Sequence, residues 1–347
     1  MPRPRKVSQS QLAKELGVSQ ALVSLVLNGR RLGINAETYD KVWAHAIKQG
    51  YHPKGMRPAS SPTAVLQQVG FILRAPFRLS TPSVYFGHVQ NGLHTALAAK
   101  NITTVYLGAE DQMDPPKLRQ YFQVGHTFRG VVLLGEVSRT FLAEVRKVER
   151  RIVSVSAHYP GLCHSVAGNE PQALELLVRH LHGMDHRRIG WLGGNAGLGR
   201  HEARFSAFNA ALKGVGLTLD PRATAILQQA DRAEGAEAAE TVLKRAPKKN
   251  FPTAFVCYNA LMAAGAIRAF ERAGLSVPSA ISVASADISP VAMNEKPRIT
   301  AAGSSPEKLG EAAARLLLES TGAEDESFTD IVLPAHLFVG GTTAAVQ

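Results

Sequence analysis

Three histidines and a glycine-rich loop are the strongest candidates for chemistry in this 347-residue chain. His180, His182 and His186 lie close together, but they lack the i, i+4 pair with an adjoining glutamate that a helical zinc site needs, so a structural role is favoured. The loop at 193–199 follows a predicted strand, yet it has neither a Gly-x-Gly-x-x-Gly fingerprint nor a Walker lysine. No Gly-x-Ser-x-Gly elbow occurs either. We therefore predict no catalytic residue, no metal site and no cofactor.

A different kind of chemistry is indicated at residues 8–27, which predict two short helices joined by a tight turn. Ser8 is the expected N-cap of the first helix, and Gln11 is expected to complete a capping box. Gly17 ends that helix, and Ser19 is placed to cap the second. The buried stripe of the second helix is formed by Val23, Val26 and Leu27. This is the helix-turn-helix pattern, whose second helix lies in the DNA major groove.

Two amphipathic helices around a glycine also occur in all-α proteins that bind no nucleic acid, and the charge distribution helps to decide between the two interpretations. Residues 1–58 contain ten Lys or Arg and three Asp or Glu, a net charge of +7 out of +11 for the whole chain. A basic module of this kind is typical of proteins that bind phosphates. A third helix, with Asn35 as its expected cap, completes a small DNA-binding headpiece.

Composition places the chain among folded proteins with more than one domain. It is 45% apolar and 19% charged, and it contains no run of 18 apolar residues that would predict a membrane span. The basic amino terminus leads into polar residues, so no secretory signal is predicted. Cys163 and Cys257 are the two cysteines, which fits a reduced compartment better than a disulfide scaffold. We expect a cytoplasmic protein without membrane partners.

The rest of the chain predicts an α/β core. Three prolines and a glycine mark residues 52–64 as a linker. From residue 65 onward, short apolar strands alternate with longer helices, which predicts parallel sheets covered by helices. About ten strands are too many for one compact doubly wound sheet, so two lobes are expected, with ligands bound at the carboxyl ends of the strands.

Several motifs along nearly the whole chain resemble the LacI/GalR family of bacterial transcription regulators. The headpiece motif is Leu12-Ala13-x3-Gly17-Val18-Ser19-x3-Val23-Ser24-x2-Leu27-Asn28, followed by Tyr51-x-Pro53. The core motifs are Leu181-x4-His186-Arg-Arg-Ile-Gly, Arg204-x3-Phe208-x2-Ala211-Leu212 and Ala273-Gly274-Leu-x-Val-Pro278-x2-Ile281-Ser-Val. The resemblance implies a core like that of periplasmic binding proteins, and a homodimer that binds a palindromic operator under the control of a small molecule in the cleft.

The resemblance also implies which residues contact DNA. Ser19, Gln20, Ala21, Ser24 and Asn28 match the family's recognition helix, where glutamine can pair with adenine and alanine can meet a thymine methyl group.

Leu25 departs from the arginine that is usual at its position. It either packs within the headpiece or offers apolar contact to thymine, and we predict weaker discrimination for guanine than an arginine would give. Arg30 and Arg31 are expected to clamp phosphates.

The linker departs from the family pattern as well. In the family this stretch folds on DNA into a short helix that wedges a leucine into the minor groove. Here Gly55 and Pro58 oppose a helix, and Ser60 stands about where the leucine would be. Either Met56 or Arg57 is the side chain expected to enter the groove, and we expect a linker that orders less on DNA than in the family.

By the same resemblance, the cleft residues are Arg204, Asn259, Asp287, Asn169 and Arg232. Arg204 and Asp287 match the family's ligand-gripping arginine and its acidic partner, although the two could instead form a structural ion pair. Two carboxylates that the family has in the cleft are absent, because Asn169 and Ala260 stand at positions where aspartate is expected. The effector is therefore expected to be a sugar or a sugar-derived acid, with an anionic metabolite favoured more than in a typical member.

The resemblance implies three crossings between the lobes, expected near residues 172, 301 and 329. The predicted domains are a headpiece at 1–52, a hinge at 53–66, a first lobe at 67–172 with 302–329, and a second lobe at 173–301 with 330–347.

We predict an effector-controlled DNA-binding regulator that acts as a repressor. The alternatives are an enzyme, for which no catalytic constellation is found, and a solute-binding protein, which would need a secretory signal and no headpiece.

Overall fold

The computed structural model describes residues 8–27, 34–49, 67–75, 84–123, 128–323 and 327–346. The chain divides into two compact units, residues 1–65 and residues 66–347, which we call the headpiece and the core. Among the described residues, no helix is both long enough and apolar enough to cross a bilayer.

The described part of the headpiece consists of helices α1 (Gln9–Leu16), α2 (Gln20–Leu27) and α3 (Ala36–Lys48). One apolar cluster holds them together, and its buried members are Leu12, Ala13, Val23, Val26, Leu27, Tyr39, Val42 and Ala46. The apolar stripes predicted for the first two helices therefore face each other across the turn. Such a small cluster suffices for a compact three-helix unit because each helix buries one face only.

Side-chain caps define the ends of these helices largely as predicted. Ser8 accepts a hydrogen bond from the backbone N–H of Gln11 (3.2 Å), and Gly17 ends α1 with a φ of +66°, which glycine adopts without strain. Ser19 accepts a bond from the N–H of the third residue of α2 (3.1 Å). The expected capping box is wrong in one half, because the side chain of Gln11 donates to Glu15 (3.2 Å).

In its described residues, the core contains twelve strands, nine α-helices and three short 3-10 helices. The strands are β1 (Gln68–Leu73), β2 (Thr103–Ala109), β3 (Phe128–Leu134), β4 (Ile152–Val155), β5 (His164–Gly168), β6 (Ile189–Gly193), β7 (Thr224–Ile226), β8 (Ala254–Cys257), β9 (Ser282–Ser285), β10 (Thr300–Gly303), β11 (Asp330–Leu333) and β12 (His336–Phe338). The helices are α4 (Val84–Ala98), α5 (Pro115–Gln123), α6 (Arg139–Val148), α7 (Glu170–Gly183), α8 (Gly199–Gly214), α9 (Arg232–Arg245), α10 (Ala260–Arg272), α11 (Pro290–Asn294) and α12 (Pro306–Glu319).

The strands form two six-stranded sheets, one in each lobe. The first has the order β11-β5-β4-β3-β1-β2, and all its neighbours are parallel. The second has the order β12-β10-β9-β8-β6-β7 and is parallel except for β12, which runs antiparallel to β10. The predicted two-lobed α/β core is confirmed, with that one antiparallel strand as a correction.

Helices cover both faces of the second sheet. Trp191 of β6 stacks near Phe208 of α8, with ring centroids 5.0 Å apart, and Phe255 of β8 stacks near Phe270 of α10 at 5.2 Å. Trp191 lies opposite Val256 in the ladder, so it points to the other face from Phe255. The sheet is therefore doubly wound, and its strands read as continuous apolar runs because both faces are buried.

The chain crosses between the lobes at three places. The first follows β5, since α7 packs on α8 in the second lobe, and the second follows β10, which lies wholly in the second sheet. The third lies between β11 and β12. The prediction that placed 330–347 in the second lobe is wrong for β11, because Asp330 pairs with Ser165 of β5 in the first sheet. A local sequence pattern does not contain that pairing.

Candidate functional site

The exposed face of α2 carries the predicted DNA contacts that the structure describes. Ser19, Gln20 and Ala21 are exposed, and Ser24 is half-buried. Leu25 is 41% exposed, so it does not pack inside the headpiece, and the structural interpretation of this residue is wrong. These side chains occupy one side of the helix, opposite its buried stripe, which is the arrangement a groove-reading helix needs.

Five other predicted DNA contacts lie outside the described residues. They are Asn28, Arg30, Arg31, Met56 and Arg57. The expectation that the linker orders little on DNA concerns the same part of the chain.

A narrow cleft lies between the lobes at the carboxyl ends of both sets of strands. Its main cavity has a volume of about 70 Å³ and is lined by Arg74, Tyr85, Phe86, Gly135, Glu136, Ser156, Asn195, Leu198, Arg200, Arg204, Tyr258, Asn259 and Asp287. A second cavity of about 10 Å³ shares four of these residues and adds Asn169 and Glu170. Small-molecule sites usually enclose roughly 300–1,000 Å³, so the lobes must separate before a ligand of that size enters.

The centre of the cleft is an ion-paired triad of Glu170, Arg200 and Arg204. Glu170 begins α7, while both arginines lie on the first two turns of α8. The Nε atoms of Arg200 and Arg204 donate to opposite oxygens of the Glu170 carboxylate, at 2.9 and 2.6 Å. Burial raises the pKa of Glu170, but the two arginines outweigh it and leave the pKa below its usual value, so the carboxylate stays ionised.

The triad changes the expected role of Arg204. This side chain is 2% exposed and donates also to the backbone carbonyl of Tyr258. The ion pair that we considered between Arg204 and Asp287 is therefore replaced by a pair with Glu170. The sequence offered one signal for Glu170, namely its position directly after Asn169 at the start of a helix.

Asp287 lines the cleft at the end of β9. Its carboxylate accepts hydrogen bonds from the N–H of Ala260 (2.9 Å) and the hydroxyl of Ser285 (3.2 Å). Burial raises its pKa above the usual value, although Arg204 and Arg200 act in the opposite direction. The Asp287 carboxyl group therefore offers polar oxygens to a hydrogen-bonding ligand in the cleft.

The two predicted asparagines are helix caps as well as lining residues. Asn259 accepts from the N–H of Met262 and donates to the carbonyl of Ala230, both at 2.8 Å. Asn169 accepts from the N–H of Gln172 (3.0 Å). Their side chains are thus held in place by α10 and α7, which rigidly positions the polar groups around the cleft.

Arg232 does not belong to the cleft. It begins α9, its guanidinium lies 2.7 Å from the carboxylate of Glu295, and it lines neither cavity. The prediction that Arg232 is a cleft residue is wrong, because α9 places its side chain against Glu295, in the segment after α11.

Two of the hydrogen bonds that join the lobes across the cleft are donated by arginines. Arg200 of the second lobe donates to the hydroxyl of Tyr85 in the first (3.3 Å), and its guanidinium lies 4.8 Å from the centre of that ring. Arg74, which follows β1, donates to Asn195 of the second lobe (3.4 Å). Four lining residues were not predicted, because nothing local to them in the sequence indicates a shared cleft; they are Arg74, Tyr85, Glu136 and Arg200.

Two of the three clustered histidines make hydrogen bonds within the second lobe. His186 binds the hydroxyl of Thr253 (2.8 Å) and the carbonyl of Ala344 (3.0 Å), and His180 binds Thr343 (3.0 Å). In the described ranges, no group of three or more His, Cys, Asp or Glu side chains is placed to hold a metal ion.

Comparison with known proteins agrees with this architecture. A family model described as a periplasmic binding protein-like domain matches residues 178–343. The HTH-type transcriptional regulator MalR of Streptomyces coelicolor is 27% identical over 352 residues, which cover 97% of this chain and 96% of MalR.

Two solved structures share the fold over almost the full length. The transcriptional regulator CelR in complex with cellobiose has a TM-score of 0.68 at 22% identity, covering 97% of this chain and 100% of CelR. The lac repressor dimer bound to operator and the anti-inducer ONPF has a TM-score of 0.68 at 18% identity, covering 98% and 100%. With its helix-turn-helix headpiece, its two-lobed core and these matches along nearly the whole chain, the protein is similar to regulators of transcription of the LacI/GalR kind.

Proposed function

We propose that this regulator is a cytoplasmic repressor that binds a palindromic operator as a homodimer and is controlled by a neutral saccharide in the interlobe cleft. The observation that supports operator binding is the exposed face of α2, which presents both polar and apolar side chains. One headpiece makes too few base contacts for useful specificity, whereas a two-fold pair reads two half-sites. The lac repressor, which shares the fold, is a dimer on its operator.

The DNA contacts in this proposal are those on the exposed side of α2. Gln20 pairs with an adenine edge, while Ala21 and Leu25 meet thymine methyl groups. Ser19 and Ser24 contact the backbone or base edges, together with Asn28. Arg30 and Arg31 hold phosphates, and Met56 or Arg57 enters the minor groove.

A neutral saccharide suits the charge balance of the cleft. Three arginines (Arg74, Arg200 and Arg204) line the two cavities together with three carboxylates (Glu136, Glu170 and Asp287). Sugar hydroxyls both donate and accept, so they need such a mixed lining, whereas an anion prefers donors alone. The sequence favours an anionic effector because Asn169 and Ala260 replace two aspartates, but Glu136 and Glu170 provide carboxylates elsewhere in the lining. CelR, a regulator with this fold, was solved in complex with cellobiose.

The two alternative functions have less support. An enzyme would need a nucleophile or an acid and base that face a substrate, yet Glu170 is occupied by two arginines. A solute-binding protein would have no use for the helix-turn-helix headpiece. MalR, CelR and the lac repressor are all named as regulators of transcription.

A gel-shift comparison of the full chain with residues 66–347 tests the DNA-binding half. The full chain is expected to shift DNA from upstream of its own gene specifically, and candidate sugars are expected to change that shift. The shortened protein keeps both sheets but lacks α2, so it is expected to lose specific binding. Equal binding by the two proteins would contradict the assignment of DNA reading to the headpiece.

Leu25→Arg is expected to change which base is selected. Because the side chain is exposed on the reading face, an arginine there gains bidentate pairing with guanine, worth about 1–3 kcal/mol of discrimination. Selection from a random operator pool should enrich guanine at one position in each half-site. Gln49→Arg, on an exposed residue after α3, adds the same charge as a control and should alter affinity without a new base preference. A strong guanine requirement in the unaltered protein would contradict the prediction.

A further inference from the structure

Glu136 of the first lobe lies against the amino terminus of a helix of the second lobe. It follows β3, and its Oε2 and Oε1 atoms lie 3.3 and 3.5 Å from the position that a Cβ would take on Gly199, the first residue of α8. This 16-residue helix has Leu198 as its N-cap, without a side-chain hydrogen bond. A helix amino terminus carries a partial positive charge that attracts anions, so a carboxylate at this place is favourable.

Two guanidinium groups add to the positive charge near the same point. Arg200 is the second residue of α8, and Arg74 reaches across from the first lobe to Asn195, in the loop before α8. The carboxylate of Glu170 balances Arg200 and Arg204 from the other side. Glu136 therefore faces the α8 terminus from the first lobe, and both it and Arg74 line the main cavity.

We propose that Glu136 is a charge filter that makes the cleft select neutral sugars against sugar acids and sugar phosphates. This inference rests on the proposed saccharide effector and identifies the residue that sets its charge class. The carboxylate accepts hydrogen bonds from sugar hydroxyls, but it repels an anionic group that would otherwise bind α8, Arg74 and Arg200. Without the charge of Glu136, the same groups become an anion site.

Inorganic sulfate tests the filter without knowledge of the natural effector. Thermal unfolding is measured at constant ionic strength while sulfate replaces chloride, for the unaltered protein, Glu136→Gln and the control Glu311→Gln, which neutralises an exposed glutamate on α12. Sulfate stabilises folded proteins in general, so the proteins are compared with one another. Glu136→Gln is expected to gain an additional, saturating rise in Tm of about 2–4 °C, as binding at tenfold above Kd would produce. Equal sulfate responses of the three proteins would overturn the proposal.

Matched sugars then test selectivity by calorimetry. Glucose with glucuronate and galactose with galacturonate differ only in the acid group. In the unaltered protein the acid should bind at least about tenfold more weakly than its neutral partner, because a like charge about 4 Å away costs more than that. Glu136→Gln should remove this difference, and Glu311→Gln should keep it.

Equal binding of acid and neutral sugar to the unaltered protein would reject the filter. Binding of no sugar by any of the three would reject the saccharide proposal, while the sulfate result still decides the role of Glu136.

Discussion

Glu170→Gln is expected to lower the free energy of unfolding by about 3–5 kcal/mol, the usual cost of removing one partner from a buried ion pair. The substitution keeps the shape of the side chain but leaves Arg200 and Arg204 without their counter-charge. Those side chains are 17% and 2% exposed, so water compensates little. Urea denaturation measures the change.

The control for this prediction lies on the same helix. Glu175 pairs with Arg179 at 2.7 Å, but both side chains are more than half exposed. Glu175→Gln should change the free energy of unfolding by less than about 0.5 kcal/mol, as is typical of surface pairs. If the two variants unfold at the same urea concentration, the triad contributes no more stability than a surface ion pair, which would contradict the prediction.

The triad also predicts a pH dependence. The pKa of Glu170 is lower in the folded protein than its ordinary value of 4.5, so its stabilising effect is fully present above that pH. It is lost as the pH falls through the lower folded pKa. The difference in stability between the unaltered protein and Glu170→Gln should therefore be constant from pH 6 to 7 and shrink in acid below about pH 4.5. A difference that is independent of pH would mean that the carboxylate is not the group responsible.

Gly92→Ala is expected to destabilise the first lobe by about 3 kcal/mol, the upper part of the usual range for an overpacked core. Helices α4 and α12 approach so closely that a Cβ on Gly92 would lie 1.9 Å from the carbonyl oxygen of Glu307. The reverse contact is as tight, because a Cβ on Gly310 would lie 1.9 Å from the carbonyl oxygen of Val89. Backbone cannot yield as a flexible side chain can, so the helices must separate.

Gly87→Ala provides the matched control on α4. A Cβ on Gly87 would meet nothing within 4 Å, and alanine favours a helix over glycine by about 1 kcal/mol. This variant should therefore be as stable as the unaltered protein or more stable. In thermal or urea unfolding, we therefore expect the stability of the two variants to change in opposite directions. Two shifts in the same direction and of similar size would contradict it.

The same construction occurs in the second lobe. A Cβ on Gly235 of α9 would lie 2.1 Å from the carbonyl oxygen of Met262, and a Cβ on Gly265 of α10 would lie 2.0 Å from that of Arg232. Among the described residues, each lobe therefore contains a pair of helices in close backbone contact at reciprocal glycines. In the sequence these glycines look like ordinary helix interruptions, because the close approach depends on a partner helix. In the first lobe that partner is distant along the chain, since α4 and α12 are about two hundred residues apart.

Local patterns predicted the headpiece well. The cap residues Ser8 and Ser19 and the glycine at 17 act within a few residues of themselves, so their roles can be read without a fold. The buried stripe of α2 follows from helical periodicity alone, and that stripe already implies which side chains remain exposed. Local patterns could not decide whether the Leu25 side chain is exposed or buried, because leucine occurs in both environments.

The core shows where sequence reasoning ends. Alternating strands and helices predicted two α/β lobes but not every element of them, and β5 was among the strands that were missed. The short strand β5 is bounded by turns and includes His164 and Ser165, and its strand character comes from pairing with β4 and β11. The boundary before β11 was misplaced for the same reason, because a strand joins whichever sheet supplies its neighbour.

By itself, the sequence determined the helix-turn-helix, the basic charge of the first sixty residues, the two-lobed α/β class and the approximate location of a cleft. These depend on residue type and short-range periodicity. Only the tertiary structure decided that Glu170 pairs with Arg204, that Arg232 lies outside the cleft, and that Glu136 faces α8. Those contacts join residues tens of positions apart, and their geometry is set by strand order and helix packing, which no local pattern encodes.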